Sequence, residues 1–349
     1  MTPRARRHRC WSSFAGYHRA ARASCACPKT ATRKATTLPS APVSTPTEDP
    51  EPRVGEGGLR LPGDAHAEVD AANVDPSVEE IVIEPGRSLR NYWLDLWRYR
   101  ELFYFLAWRD LAVRYKQTVI GIGWAVIQPV LTMIVFSVVF GRLAGLPSDG
   151  APYPVLVFSA LLPWQFFSTS LTGASASLIG NAQMISKIYF PRLALPVAAE
   201  VVGFVDFLIS FAVLLVLMVA LGVPATLRLL TLPAFLLLAA GFALGAGIWT
   251  AALNVRYRDF RYVVPFTIQL GLYVSPVGFS SSVVPPQWQL LYSVNPMVGV
   301  IDGFRWAILP SSPPLYLPGV ALSAVLVTVI LVTGLRYFRA TERTFADVI

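Results

Sequence analysis

The chain has 349 residues, of which 54% are hydrophobic and 14% charged, and its formal net charge is +8. A soluble domain of this length has no core that could bury so much apolar surface, so the composition predicts an integral membrane protein. A nucleic-acid partner is not expected, because a basic groove with stacking aromatics requires a soluble domain. Membrane topology explains the basic excess better.

Residues 1–75 predict a disordered N-terminal extension. Residues 1–47 carry nine Lys/Arg and no acid, residues 48–84 carry eleven of the 21 acids, and neither stretch has hydrophobic periodicity. The basic start resembles a transit peptide in composition, and a misassigned translation start would explain it equally well. No apolar run follows it, so a secretory signal is not expected.

All three cysteines and all three histidines lie before residue 67. Cysteine or histidine nucleophiles and thiolate or imidazole metal sites are therefore excluded from the membrane part, where no metal is expected. The sequence also lacks the G-x-x-x-x-G-K-[ST] loop that cradles nucleotide phosphates. Energy for any transport must then come from another subunit or from an ion gradient.

Residues 76–118 predict cytoplasmic amphipathic helices ahead of the first membrane span. From Phe105 to Gln117 the aromatic and aliphatic residues occupy one arc of the helix, and Arg109, Arg114 and Lys116 occupy the other. Such a helix lies in the headgroup layer, with its rings toward the acyl chains. The alternative is a solvated helix packed on a soluble domain, but no such domain precedes it.

Residues 119–349 predict a six-span transmembrane domain. The apolar segments that can cross a core of ~30 Å are 120–140, 153–171, 196–221, 229–253, 262–279 and 315–337. Fourteen Lys/Arg residues lie near the span ends on one side and three on the other, which predicts that both termini are cytoplasmic.

The region between the fifth and sixth spans predicts a re-entrant pair of short helices. It is apolar, yet Pro276, Asn295, Pro296 and Arg305 interrupt it, and counting it as a span would place the basic C-terminal tail outside. Broken backbone at membrane depth is tolerated only where protein or a water-filled path surrounds it.

Two acids, Glu200 and Asp206, fall within the third span, where an uncompensated carboxylate is costly. Six residues turn a helix by about 240°, so the two do not form a carboxylate pair. Asp206 is expected to hydrogen-bond to a neighbouring helix rather than to relay protons. On the fourth span, Gly241-x-x-x-Gly245 predicts close helix packing.

The loop from Met184 to Pro196, between the second and third spans, is apolar but carries Lys187 and Arg192. One interpretation is a short rigid helix that presents apolar and basic groups to a soluble protein. The other is a loop lying on the lipid surface, and the loop alone does not decide between them.

Several motifs occur in a fixed order over residues 80–349, and together they resemble the type-2 ABC export permeases, in the branch that exports lipid-linked polysaccharides such as O-antigen, capsule and teichoic acid. The motifs are Trp97-Arg98-Tyr99-Arg100-Glu101-Leu102, Trp108-Arg109-Asp110, Arg114-Tyr115-Lys116, Gly121-x-Gly123-Trp124, Gln128-Pro129, Tyr189-Phe190-Pro191-Arg192, Asn254-Val255-Arg256-Tyr257-Arg258-Asp259, Ser275-Pro276-Val277, Asn295-Pro296 and Gly303-Phe304-Arg305-Trp306. Nothing in the resemblance extends to the N-terminal extension.

The resemblance implies an all-α homodimer in the bacterial inner membrane, with six spans per subunit and a channel between the subunits. Each subunit would dock a separate cytoplasmic ABC ATPase, which would hold the ATP and Mg, so no cofactor is expected in this chain. The amphipathic segment would be the gate or interface helix. The residues expected to couple it to the ATPase are Arg109, Arg114, Lys116, Ile185, Lys187, Tyr189, Phe190 and Arg192.

A polysaccharide path requires aromatic rings, on which sugar faces stack, and polar partners for hydroxyl groups. The aromatic candidates for lining the channel are Tyr153, Trp164, Phe166, Phe167, Tyr189 and Tyr273. The alternative for each is an anchor at the membrane interface. Arg109, Arg114 and Lys116 would steer a pyrophosphate-linked lipid carrier or, alternatively, contact phospholipid headgroups.

Two other functions remain open from the sequence. The same architecture suits an exporter of a lipid or hydrophobic small molecule, which fewer channel aromatics would favour. A membrane-embedded glycosyl- or lipid-modifying enzyme would require clustered acids or a metal at one membrane face, and the scattered acids do not supply such a cluster.

Overall fold

The computed structural model of the chain describes residues 99–116, 122–187 and 190–345. The predicted N-terminal extension, the first part of the predicted interface segment and Tyr189 lie outside these ranges. Within them all regular secondary structure is helical. The α-helices of seven or more residues are α1 Arg100–Lys116, α2 Ile122–Phe136, α3 Tyr153–Gly180, α4 Ala194–Ala220, α5 Leu232–Arg256, α6 Phe260–Val274, α7 Pro286–Tyr292, α8 Pro296–Ile308 and α9 Leu317–Thr341, and a four-residue helix, Ala182–Ile185, lies between α3 and α4.

Five helical segments in the described residues are long and apolar enough to cross a membrane. They are Gly123–Leu143, Tyr153–Gly180, Ala194–Ala220, Leu227–Arg256 and Leu317–Thr341. The first continues α2 through a π-helical turn, and the fourth includes a 3₁₀ turn before α5. Five of the six predicted spans fall on these segments.

The remaining predicted span, residues 262–279, coincides with α6, which has 15 residues. At 1.5 Å per residue α6 is about 22 Å long, which is less than the ~30 Å of a hydrocarbon core. The chain leaves the helix at Ser275, whose backbone is extended, because Pro276 follows directly and disfavours a helical conformation in the residue before it.

Helix α3 is the central helix of the bundle and is buried along most of its length. Small residues allow its neighbours to approach closely. A Cβ atom on Gly203 of α4 would stand 2.3 Å from the hydroxyl of Ser170, and one on Gly247 of α5 would stand 2.6 Å from the Cβ of Ala174. Because α3 is held on several sides, it forms a fixed wall against which the other helices are arranged.

Helices α5 and α9 pack with their backbones in contact. A Cβ atom on Gly245 would lie 2.8 Å from the Cα of Leu331, and one on Gly334 would lie 2.6 Å from the carbonyl oxygen of Gly245. The glycine face predicted on the fourth span therefore lies against α9.

An apolar cluster joins α1 to one end of the bundle, the end that the charge pattern predicts to be cytoplasmic. Leu106 and Ala107 of α1 are buried there with Ile185, Phe190 and Phe338. On the opposite side of α1, the rings of Tyr104, Phe105 and Trp108 are exposed. Apolar residues thus lie on two sides of α1, one against protein and one facing outward.

Candidate functional site

Helix α1 is tied to the interior of α4 by two adjacent side chains. Arg114 Nη2 lies 2.5 Å from Asp206 Oδ2, and the Tyr115 hydroxyl donates a hydrogen bond to Asp206 Oδ1. Asp206 lies twelve residues past Ala194, the first residue of α4, and its side chain is only 15% exposed. The acid therefore has partners on a neighbouring helix, as the sequence favours, and both of its oxygens are engaged.

The Tyr115 hydroxyl remains protonated at neutral pH. Burial raises its pKa most, and the hydrogen bond to Asp206 and the charge of that carboxylate raise it further, against a smaller opposing effect of Arg114. The hydroxyl therefore donates its proton to the hydrogen bond with Asp206. The junction thus consists of one ion pair, from Arg114, and one hydrogen bond, from Tyr115, to the same carboxylate.

A polar groove of about 370 Å³ opens beside this junction. One stripe of α3 lines it with four polar side chains spaced as i, i+3, i+4 and i+7, which are Gln165, Ser168, Thr169 and Thr172. Gln128 of α2, Ser210 and Asp206 of α4 and Arg114 of α1 line it as well. Four elements thus contribute polar groups to one groove within an otherwise apolar bundle.

The groove is suited to ligands rich in hydroxyl groups. The Thr172 hydroxyl donates to the backbone carbonyl of Ser168, which leaves its oxygen free to accept a hydrogen bond. Gln128 and Gln165 each provide both donors and acceptors. In the sequence Gln128 appears only within a motif and the α3 stripe is not predicted, although the helical spacing of its polar residues inside an apolar segment is a signal that could have identified it.

A second set of polar contacts links α1 to the neighbouring loop and to the end of α3. Arg109 Nη2 donates to Asp110 Oδ1 and to Asn181 Oδ1, both at 2.8 Å, and Asn181 in turn donates to the carbonyl oxygen of Ser177. Arg109 therefore fixes α1 against the C-terminal end of α3.

The loop between α3 and α4 is anchored rather than free. Ile185 and Phe190 are buried, and Arg192 donates a hydrogen bond to the carbonyl oxygen of Glu342 beyond α9. Lys187 and Lys116 are exposed. The coupling residues predicted from the sequence thus divide into buried anchors and exposed charges, and their contact with an ATPase stays a prediction.

The aromatic residues predicted to line a channel lie in different surroundings. Trp164, Phe166 and Phe167 are buried in the bundle, although Phe166 also borders the polar groove, and Phe167 stacks on Phe242 with ring centroids 4.6 Å apart. The Tyr153 hydroxyl donates to the carbonyl oxygen of Gly278. Tyr273 is 61% exposed. Within this single chain, the groove is therefore lined more by amides and hydroxyls than by rings.

At the other end of the bundle, Arg305 is buried and holds irregular backbone together. Its guanidinium donates to the carbonyl oxygens of Leu156, Val277 and Phe279 at 3.3, 3.1 and 2.6 Å. Burial lowers the pKa of Arg305 to about 10, so it is charged at neutral pH. In the sequence this arginine only marks an interruption of the predicted re-entrant region, and no local pattern predicts that it donates to three carbonyls.

The residues that interrupt the predicted re-entrant region surround the start of α8. Asn295 caps the helix by accepting from the backbone N–H of Met297, and its amide nitrogen donates to Ser275. Pro296 occupies the first turn of α8, where its missing N–H costs nothing, and both it and Pro276 are buried.

The second intramembrane acid, Glu200, and possible metal ligands were sought in the part of the chain that the structure describes. Glu200 is partly buried, and its Oε1 has no hydrogen-bond partner among those residues. Over the same ranges, no group of three or more His, Cys, Asp or Glu side chains could hold a metal.

The family model described as ABC-2 type transporter matches residues 101–309, which is more than half of the chain. The chain belongs to the ABC-2 type transporter family. It is 29% identical over 255 residues to the O-antigen export system permease protein RfbA of Myxococcus xanthus, covering 72% of this chain and 97% of the relative. The match to RfbA of Klebsiella pneumoniae is 27% over 248 residues, covering 69% of this chain and 92% of the relative.

A more distant relative is the polysialic acid transport protein KpsM of Escherichia coli. It is 23% identical over 244 residues, covering 67% of this chain and 91% of the relative. The family match begins at Glu101 in α1 and ends at Leu309 just past α8, so both the Asp206 junction and the polar groove lie inside the family region. The chain is accordingly a membrane transport subunit.

Proposed function

We propose that this chain is the permease subunit of an ATP-binding-cassette exporter that moves lipid-linked polysaccharide from the cytoplasm to the outer face of the bacterial inner membrane. The observation that carries the proposal is the polar groove joined directly to α1 by Arg114, Tyr115 and Asp206. The relatives are named for the export of O-antigen and the transport of polysialic acid, which supports the substrate class.

The proposed assembly is a homodimer of six-span subunits with both termini in the cytoplasm. The buried segment that follows α6 would extend that short helix to span depth, and α7 and α8 would form the outer re-entrant pair. Helix α1 would lie at the cytoplasmic surface with Tyr104, Phe105 and Trp108 in the lipid headgroup layer, which is where exposed aromatic rings are favourable.

In this proposal, a separate ATPase subunit binds ATP with Mg and closes against α1 and the loop that carries Lys187. Because Asp206 holds both Arg114 and Tyr115, a displacement of α1 is transmitted to α4, which is one wall of the groove. Helix α3, the other wall, is held in the bundle core. The groove would therefore widen, and with its counterpart in the second subunit it would form the path for the glycan.

The groove favours a glycan over a lipid or hydrophobic small molecule. Its α3 wall presents four polar side chains, and an apolar cargo would desolvate their remaining hydrogen-bonding groups without providing partners, at roughly 1–3 kcal/mol for each such group. A sugar chain supplies those partners.

The proposal is tested by expressing the chain together with each ABC ATPase subunit encoded in the same genome and purifying through a tag on the permease. We expect a stable complex that hydrolyses ATP in nanodiscs and restores surface polysaccharide to a strain that lacks the permease. A chain that purified alone and converted a lipid-linked sugar without nucleotide would show that it is an enzyme instead.

A further inference from the structure

A second cavity, of about 470 Å³, lies at the end of the bundle opposite α1. Leu156, near the start of α3, lines this cavity, whereas Asn181, the partner of Arg109, directly follows the end of α3. The 25 residues between them correspond to about 37 Å at 1.5 Å per helical residue. Its volume falls within the roughly 300–1,000 Å³ of small-molecule sites. The polar groove described above does not share any lining residue with it.

Two carboxylates in this cavity are held in place by consecutive serines. Ser280 Oγ donates to Asp149 Oδ2 at 2.5 Å, and Ser281 Oγ donates to Asp302 Oδ1 at 2.6 Å. Ser282 Oγ also donates to Asp149 Oδ1, at 3.2 Å. The serines of the turn after α6 therefore hold two acceptors in fixed positions, Asp149 from the loop before α3 and Asp302 from α8.

The charge balance of the cavity argues against simple ions as its ligand. Arg305 lines the cavity, but each of its three nitrogens already donates to a backbone carbonyl oxygen, and the carboxylates of Asp149 and Asp302 repel an anion. Its positive charge nevertheless lies close enough to Asp302 to interact with it, which opposes the binding of a divalent cation between the carboxylates.

What remains is chemistry suited to a neutral ligand with many hydroxyl groups. Each such hydroxyl can donate to a carboxylate oxygen or to the oxygen of a serine hydroxyl, and it can accept from the amide of Gln289. Tyr292 and Tyr316 contribute rings to the lining, and a ring provides a face against which a sugar can pack.

We infer that this cavity binds a sugar residue of the exported glycan on the far side of the membrane, with Asp149 and Asp302 accepting hydrogen bonds from its hydroxyl groups. The inference rests on the proposed function for the identity of the glycan. Each subunit would then hold one sugar residue outside the main path and hinder the chain from sliding back while the ATPase resets.

The test measures sugar binding to the full-length chain in nanodiscs by saturation-transfer NMR. The probes are the methyl glycosides of glucose, galactose, mannose, rhamnose and N-acetylglucosamine. We expect at least one of them to bind, and we expect Ser281→Ala combined with Asp302→Asn to weaken that binding at least tenfold. Thr328→Val is the control, because Thr328 is exposed on α9 outside the cavity and its hydroxyl donates to the carbonyl oxygen of Ala324.

The inference is overturned if no glycoside binds, if the double variant binds as the wild type does, or if calcium binds and the sugars do not. Copurification of each variant with the ATPase shows that it has folded. Should Asp302→Asn prevent folding, Ser281→Ala alone provides the same comparison with a threefold or larger loss expected. If no sugar binds while the complex with the ATPase forms, only the inference about this cavity is contradicted. If no complex with an ATPase forms, the proposed function itself is contradicted.

Discussion

Arg114 and Asp206 are 92 positions apart in the chain, yet their side chains form an ion pair of 2.5 Å between α1 and α4. Asp206 is mostly buried, whereas Arg114 is 46% exposed. The pair is therefore partly screened by solvent, and its strength lies between that of a surface pair and that of a buried one.

A double-mutant cycle measures this contact. We expect Arg114→Gln and Asp206→Asn each to lower polysaccharide export, and we expect the double variant to be no worse than the more harmful single change. The coupling energy from unfolding midpoints in detergent should be about 1 kcal/mol, at the lower end for contacting residues because of the exposure of Arg114. Strictly additive effects on both readouts would show that the two residues act separately.

Charge reversal at the end of α1 tests whether the helix couples the ATPase to the groove. Arg114→Glu with Lys116→Glu should impair export strongly while the chain still inserts, because a carboxylate in place of the Arg114 guanidinium would stand beside Asp206 and repel it. Lys116→Glu alone is the control and should have the smaller effect, since it leaves the ion pair intact. Unchanged export in the double variant would rule out the coupling role of this helix end.

Removal of hydroxyls from the α3 stripe tests the path. Thr169→Val and Thr172→Val together should lower the export rate by about fivefold to thirtyfold, since one or two hydrogen bonds to the moving glycan are worth about 1–2 kcal/mol. ATPase association should remain unchanged. Thr333→Val, on the exposed face of α9, makes the same substitution away from the groove. Equal export in all three proteins would place the path elsewhere.

Close packing of α5 on α9 predicts a stability effect that is independent of transport. Gly245→Ala places a methyl group 2.8 Å from the Cα of Leu331, a backbone atom that cannot rotate away. We expect a loss of about 1–3 kcal/mol, seen as a lower unfolding midpoint in detergent. Gly180→Ala is the control, because no heavy atom lies within 4 Å of the added Cβ, and its midpoint should be unchanged or slightly higher.

The sequence predicts the spans well because hydropathy depends on local composition, and five of the predicted segments match long apolar helices. The length of α6 was harder to predict. Apolar character continues past Val274 to Phe279, but Pro276 ends the helix early, so hydropathy alone overestimates it.

The candidate site was only partly predictable. The cost of a buried carboxylate pointed to a partner for Asp206, but the identity of Arg114 and Tyr115 depends on how α1 folds back onto α4, which no local pattern encodes. The burial of Trp164 and Phe167 likewise depends on the position of α3 at the centre of the bundle. Aromatic residues of a central helix and of a channel wall look alike in sequence.

The three carbonyls held by Arg305 belong to α3 and to the irregular segment after α6, so one side chain takes the place of a missing stretch of regular hydrogen bonding. The bonds to Val277 and Phe279 hold the segment on α8, and the bond to Leu156 holds α8 on α3. Any opening that moves the segment away from α8 is then expected to require that the buried guanidinium lose two carbonyl partners, so Arg305 sets the threshold for opening at this end of the protein.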